Sequence, residues 1–195
     1  MDAQDVVAIR NEIADKYRKL AVSPEGLFRY PTGEQSARGL GYQPDCVAAI
    51  PLPIRERFVG VGNPFSLGPI RAGESVLDLG CGAGLDTFIA AQLVGFEGHV
   101  VGVDLSPEML AVARAGQAEA GFPQIEFCEA PIEALPFPAA SFDVALSNGV
   151  LNLVPDKPAA LREIFRVLRP AGRLQACDIG LVSDRLPPDK ALWSD

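Results

Sequence analysis

A glycine-rich turn joins an apolar strand to a helix near the middle of the sequence, and few folds contain such a turn. The segment Asp78-Leu-Gly-Cys-Gly-Ala-Gly84 follows a short apolar run at residues 75–79 and precedes a helical pattern at residues 85–94. Glycine adopts backbone angles that other residues avoid, and it lets a ligand come close to the main chain. A strand, a tight turn and a helix in this order open a βαβ unit.

Strands and helices alternate over the rest of the chain. Ser106 followed by Pro107 is typical of a capped helix start, with proline in the first turn. Alternation of this kind implies right-handed crossovers and a largely parallel sheet, so we predict an α/β, Rossmann-like, doubly wound fold. The predicted strands are 75–79, 99–104, 124–128, 141–146 and 172–177, and the predicted helices are 85–94, 106–120 and 157–168.

The first 73 residues differ in texture from the rest. Residues 2–20 have apolar positions at near-helical spacing, which predicts an amphipathic helix. Residues 23–73 are rich in proline and glycine, which predicts irregular structure with one short helix at 44–49. We therefore expect residues 1–73 to form an N-terminal cap segment over a core at residues 74–195.

Charge and composition exclude several classes of partner. The 195 residues include 17 basic and 25 acidic side chains, a formal net charge of −8, which argues against a nucleic-acid or anionic-membrane surface. No apolar run approaches the roughly 18 residues of a membrane span, and acids replace the basic start of a signal peptide. The four cysteines form no CxxC pair, so we predict no metal site and a cytoplasmic protein.

Acidic residues beside the turn indicate which ligand it takes. The dinucleotide fingerprint GxGxxG would require glycine at Leu85, whereas this chain has GxGxG preceded by Asp78. A carboxylate there suits an ammonium or sulfonium group better than a pyrophosphate. Asp104 ends the second predicted strand, where an acid can accept both hydroxyls of a ribose. Together they predict S-adenosylmethionine; the alternatives are a turn without ligand and a helix-capping role for Asp104.

The turn and Asp104 together resemble those of the class I S-adenosylmethionine-dependent methyltransferases. Longer runs are similar to the arsenite methyltransferase family: Gly62-Asn-Pro64, Ser147-Asn-Gly-Val-Leu-Asn-Leu-Val-Pro-Asp-Lys157 and Phe165-Arg-Val-Leu-Arg-Pro170. The resemblance implies an enzyme that transfers a methyl group from S-adenosylmethionine to a small-molecule acceptor.

The resemblance also implies roles for individual residues. The turn would contact the methionine end, with Asp78 near its ammonium group, and Asp104 would hold the ribose. The full set of expected cofactor-binding residues is Asp78, Gly80, Cys81, Gly82, Gly84, Asp104, Leu105, Ile132, Glu133, Ser147 and Asn148. No residue stands out as a general base. Among the tyrosines of the cap, packing is the first interpretation and closure over the cofactor the second.

Two family cysteines are replaced in this chain. Arsenite methyltransferases bind trivalent arsenic through thiolates, because this soft ion prefers sulfur. The corresponding positions are Val61 and Gly149, and a third family cysteine lies beyond the motif that matches Leu192-Trp193. The acceptor therefore stays open, with arsenite methylation using external thiols and a non-catalytic cofactor-binding remnant as alternatives.

The family core has seven strands in the order 3-2-1-4-5-7-6, and five are predicted here. We expect a C-terminally truncated core, or a homo-oligomer that pairs through the edge of the fifth strand, since an open apolar edge invites pairing.

Overall fold

The computed structural model describes residues 3–23, 26–28 and 30–180. Four helices come first, then strands and helices alternate, with short 3-10 helices at Pro64–Leu67 and Ile132–Ala134. In chain order the elements are α1 (Ala3–Val22), α2 (Gly33–Gly39), α3 (Pro44–Ala48), α4 (Leu52–Glu56), β1 (Ser75–Leu79), α5 (Leu85–Val94), β2 (His99–Asp104), α6 (Pro107–Ala120), β3 (Ile125–Glu129), β4 (Phe142–Asn148), α7 (Lys157–Val167) and β5 (Leu168–Cys177).

The five strands form one parallel sheet in the order β3-β2-β1-β4-β5. Successive side chains of a strand point to opposite faces, and both faces here are apolar because helices cover both. Val76 and Val100 pack with α5 and the N-terminal helices, whereas Leu77 and Val101 pack with α7 on the other side. The predicted Rossmann-like, doubly wound fold is confirmed.

The last strand begins earlier than predicted. The sequence suggested a helix to Leu168 and a strand from Gly172, but α7 ends at Val167 and β5 starts directly at Leu168. A residue before proline is disfavoured in the helical region, so Pro170 holds Arg169 extended. The pairing of β5 with β4 is irregular here, and Ala171 has a φ of +66°, which marks the bulge that resembled a loop in the sequence.

The N-terminal segment contains more helix than the sequence indicated. The predicted short helix is present as α3, but α2, α4 and the 3-10 helix at Pro64–Leu67 were not predicted. Prolines begin three of these turns, at Pro44, Pro53 and Pro64, where a missing N–H and a fixed φ favour the helix. The proline content, which predicts irregular structure, here marks the starts of short helices.

This segment packs across the core. The Arg18 guanidinium of α1 lies 3.4 Å from the Glu108 carboxylate of α6, and the Gln92 amide of α5 donates to the Cys46 carbonyl at 3.0 Å. The division at residue 73 stays a prediction, and residues 181–195, with Leu192-Trp193, lie outside the described residues. No helix in the described part has the length and hydrophobicity that a membrane span needs.

Helices α6 and α7 each begin with a side-chain cap, and the cap at Ser106 was predicted. The Ser106 hydroxyl accepts the Met109 N–H at 3.2 Å at the start of α6. The Asp156 carboxylate accepts the Ala159 N–H at 2.9 Å at the start of α7. Each satisfies a backbone donor that the first turn leaves free. These helices therefore start where the loops at the carboxyl edge of the sheet end.

Gln175 of β5 holds the segment before β1 against the sheet. Its side chain is 2% exposed, and its amide donates to the carbonyls of Pro64 at 2.8 Å and Gly68 at 3.0 Å. We expect Gln175→Leu to lower the free energy of unfolding by roughly 1–3 kcal/mol, because buried acceptors lose their donor. Urea unfolding measures this, with Gln35→Leu on the exposed side of α2 as control. Equal losses in the two variants would contradict the assignment.

Candidate cofactor site

The glycine turn is held open by backbone angles that only glycine adopts easily. Gly80, Gly82 and Gly84 have φ values of +65°, +54° and +100°. The Cys81 N–H donates to the Val103 carbonyl at 2.9 Å, which ties the turn to β2. A Cβ on Gly80 would lie 2.6 Å from the Val150 methyl groups. The turn therefore presents bare backbone at the carboxyl end of β1.

Asp104 connects the glycine turn to α6. One carboxylate oxygen accepts the Gly82 N–H at 2.8 Å and the other accepts the Ser106 N–H at 2.8 Å. Burial raises the pKa of this carboxyl, and hydrogen bonds from Ser106 and Gly82 oppose the shift. The capping interpretation and the ribose interpretation are compatible, since each carboxylate oxygen has two lone pairs.

A cavity of about 260 Å³ lies beyond Asp104. It brings together five of the predicted residues: Gly80, Asp104, Leu105, Ile132 and Glu133. The remaining wall comes from α1 and from the loop after β4, with Ile13, Ala14, Tyr17, Arg18, Val150, Leu153, Val154 and Pro155 among its residues. The walls are mainly apolar, with carboxylates at the margin, which suits a nucleoside.

A second cavity, of about 50 Å³, lies on the other side of the turn. Tyr17, Gly80 and Val150 border both cavities, so the two form one crevice divided by these residues. The predicted residues that line this part are Asp78, Gly80, Cys81, Gly82, Gly84 and Asn148. Tyr17 thus lies at the site, in agreement with the second interpretation of the cap tyrosines.

Asp78 is buried at this smaller cavity. Its carboxylate accepts the Thr87 hydroxyl at 2.6 Å and is 2% exposed. Burial, reinforced by the negative charge of Asp86, raises the pKa of Asp78, whereas the hydrogen bond from Thr87 opposes the shift. A carboxyl group with a raised pKa therefore lies directly beside the glycine turn.

Asp86 was not among the predicted site residues. The Tyr42 hydroxyl donates to one of its oxygens at 2.6 Å, and the Asn148 amide donates to the other at 2.9 Å. Asn148 in turn accepts the N–H groups of Val61 and Gly62, at 2.9 and 3.0 Å. Burial raises the pKa of Asp86. In the sequence, an acid in the first turn of a helix is explained by the helix dipole alone, so Asp86 gives no separate signal of a site.

One predicted residue lies away from both cavities, and another lines the smaller cavity with its side chain turned toward β2. Ser147 is fully buried in β4, its hydroxyl has no hydrogen-bond partner, and it lines neither cavity. Strand alternation is the reason, since it points away from the side of Asn148. The Cys81 side chain lies over β2, where a Cβ on Gly102 would be 2.9 Å from its sulfur. Burial and the nearby Asp104 and Asp78 raise the pKa of this thiol.

The positions of the missing family cysteines are adjacent. A Cβ on Gly149 would lie 3.2 Å from a Val61 methyl group. The Cys177 sulfur is near them, 2.8 Å from a Cβ built on Gly62. Within the described residues, no three His, Cys, Asp or Glu side chains are grouped so as to hold a metal ion. This part of the site is therefore an apolar contact with one thiol beside it.

Comparison with known proteins identifies the family to which this chain belongs. The family described as "Methyltransferase domain" matches residues 70–195. The chain belongs to this methyltransferase family. It is 42% identical over 148 residues to an arsenite methyltransferase of Halobacterium salinarum, covering 76% of this chain and 38% of that protein. It is 50% identical over 107 residues to a ubiquinone/menaquinone biosynthesis C-methyltransferase of Hahella chejuensis, covering 54% of this chain and 43% of that protein.

A similar solved structure is also a methyltransferase. The chain superposes on an arsenic(III) S-adenosylmethionine methyltransferase from Chlamydomonas reinhardtii with a TM-score of 0.63 and 36% identity, covering 76% of this chain and 50% of that chain. The chain therefore spans 38–50% of the length of these three proteins. The name of that solved structure includes S-adenosylmethionine, and the bare turn beside two buried carboxyl groups fits the cationic methionine end of such a cofactor.

The methyltransferase turn should not tolerate a side chain at Gly80. We expect Gly80→Ala to lower the free energy of unfolding more than Gly73→Ala, by roughly 1–3 kcal/mol, because the new methyl group meets Val150. Gly73 is the matched control: its φ of +80° imposes similar strain, and nothing lies within 4 Å of its Cβ position. Urea unfolding compares the two, and losses of equal size would refute the contact.

Stability should depend on pH through the buried carboxyls. The pKa of both Asp78 and Asp86 is raised above 3.8, so the folded chain binds protons more tightly than the unfolded chain. Their contribution to the free energy of unfolding is therefore favourable at acid pH and declines as pH rises from 3.8 to the raised pKa. Urea unfolding of the cofactor-free chain at several pH values measures the slope. Asp78→Asn should flatten it and the exposed control Glu97→Gln should not; parallel curves would exclude this role.

Proposed function

We propose that this chain is the catalytic core of an S-adenosylmethionine-dependent methyltransferase with a small organic acceptor. The observation that carries the proposal is the divided crevice at the carboxyl ends of β1 and β2, with the Asp104 carboxylate fixed between the glycine turn and α6. The smaller part would take the methionine end, beside Asp78, and the larger part would take the adenosine. Ligands of open α/β sheets bind at such crevices.

The chain's own residues mainly bind, align and exclude water. The cofactor, when bound, supplies a methyl group already activated by attachment to a sulfonium, so positioning is the principal task left to the protein. Tyr17 and Val150 border both parts of the crevice, where the two halves of the cofactor would meet. Leu153 adds an apolar wall to the larger part. These side chains would keep water from the reacting carbon.

The site favours an apolar acceptor over arsenite. At the two family cysteine positions Val61 packs against Gly149, and Cys177 is a single thiol beside them. Trivalent arsenic needs several sulfur ligands. One relative acts in quinone biosynthesis by its name, which agrees with an uncharged organic acceptor. Arsenite with external thiols is the second candidate, supported by the arsenite methyltransferase relatives.

Several further properties belong to the same proposal. A formal net charge of −8 supports an enzyme without a nucleic-acid partner. We also propose that this enzyme is cytoplasmic. Within the described residues β5 pairs with β4 alone, and Leu174 on β5 is 37% exposed. An uncovered strand edge supports association of two copies through β5. Residues 1–73 would act as the cap that completes the crevice.

Transfer of labelled methyl tests the acceptor class. The full 195-residue chain is incubated with methyl-tritiated S-adenosylmethionine and either quinols or arsenite with glutathione. We expect label in the organic acceptor and none in arsenic products. Label in methylated arsenic alone would replace the first candidate with the second, and label in neither would favour the non-catalytic remnant.

Binding of S-adenosylhomocysteine tests Asp104. We expect Asp104→Ala to weaken affinity by roughly 1–3 kcal/mol, because the turn loses its tie and the ribose loses an acceptor. Calorimetric titration measures this, and the control is Asp45→Ala, at an exposed acid of α3. Unchanged affinity in Asp104→Ala would remove the residue from the site.

A further inference from the structure

Two buried carboxylates share the smaller cavity. Asp78 comes from the end of β1 and Asp86 from the first turn of α5, and both line this space of about 50 Å³. They are 2% and 6% exposed. Their side-chain donors are all neutral: the Thr87 hydroxyl at 2.6 Å, the Tyr42 hydroxyl at 2.6 Å and the Asn148 amide at 2.9 Å. Hydrogen bonds are thus supplied, but positive charge is not.

Among the described residues around this cavity, no cation balances the pair. Of the described side chains that line the cavity, only Arg57 is cationic. Its guanidinium donates instead to the backbone carbonyls of Ala21 at 2.9 Å, Pro53 at 2.9 Å and Val22 at 3.3 Å. The other titratable groups that face the pair are neutral or acidic: Tyr17 of α1, Tyr42, Cys81 of the turn, Asp104 of β2 and Cys177 of β5.

Two like charges cannot both stay buried in this space without compensation. Removing a carboxylate from water is unfavourable, and a second carboxylate nearby adds repulsion. The pKa of each group is raised accordingly. Such a pair resolves the conflict by keeping a proton or by taking up a cation. The crevice ligand proposed above carries one cation that suits this end, the ammonium group of its methionine moiety.

We propose that Asp78 and Asp86 form a proton site that exchanges its proton for the ammonium group of the cofactor. As the ligand binds, the carboxyl O–H bond breaks and the proton passes to solvent. The ammonium group keeps its own protons and replaces the lost proton as the single positive charge beside the two carboxylates. Asp86 is thereby a cofactor-binding residue that acts together with Asp78. The inference rests on the proposed function, because it requires this cofactor in this crevice.

Calorimetric titration in several buffers counts the protons. The full chain is titrated at about pH 6.5, where an ammonium group stays protonated, in buffers of different ionisation enthalpy. We expect S-adenosylhomocysteine to release a proton, and its affinity to rise up to tenfold per pH unit across the titration range of the pair. Methylthioadenosine, which has no ammonium group, should bind the adenosine part without releasing one.

Two variants make the result specific. Asp86→Asn should reduce the release, because it removes the negative charge that helps Asp78 to keep its proton. The exposed control Asp45→Asn should leave the release unchanged. Tyr42→Phe removes the donor to Asp86, so release should persist and move to higher pH. This second variant decides the matter if Asp86→Asn does not fold, as judged by near-ultraviolet circular dichroism.

The outcomes separate this inference from the proposed function. Binding of S-adenosylhomocysteine without proton release, or equal release from methylthioadenosine, would overturn the proton site and leave the cofactor assignment intact. Release that neither Asp86→Asn nor Tyr42→Phe alters would exclude Asp86. A folded chain that binds neither nucleoside would overturn the proposed function itself, and the proton site with it.

Discussion

The Asp104 carboxylate is the contact on which the rest of the site depends. Parallel strands bring their carboxyl ends to one edge, but nothing in a sheet connects the loops that follow. Asp104 makes that connection by accepting one N–H from Gly82 and one from Ser106. The turn after β1 and the start of α6 therefore hold a fixed separation, and the two parts of the crevice open on either side of it.

The sequence was sufficient to predict features that depend on residues close together in the chain. The turn, Asp104, the capping Ser106 and the alternation of strands can be recognised within a few residues of chain. The Asp86 network could not, because Tyr42 and Asn148 lie 44 and 62 residues away and meet Asp86 only after folding. Ser147 and Asn148 were both expected at the site, but neighbouring residues of a strand face opposite sides of the sheet, and only Asn148 lines a cavity.

Under the proposed function, two positions of the same architecture would decide between two kinds of acceptor. Val61 and Gly149 are far apart in sequence but touch across the end of β4. Two thiolates there would present a soft metal-binding pair, whereas a branched methyl group against a glycine presents an apolar wall. The glycine turn follows β1, and Asp104 and Asp86 lie on β2 and α5, outside the segments that carry this exchange of side chains.

The position of α1 affects how fast any ligand could leave. Ile13 and Tyr17 of this helix form one wall of the larger cavity, so departure through that wall requires α1 to separate from α6. The Arg18–Glu108 pair that joins them is more than two-fifths exposed on each side, and such pairs are weak and screened by salt. If release of the ligand past α1 limited turnover, the turnover rate would therefore increase with ionic strength, although the reacting groups lie elsewhere.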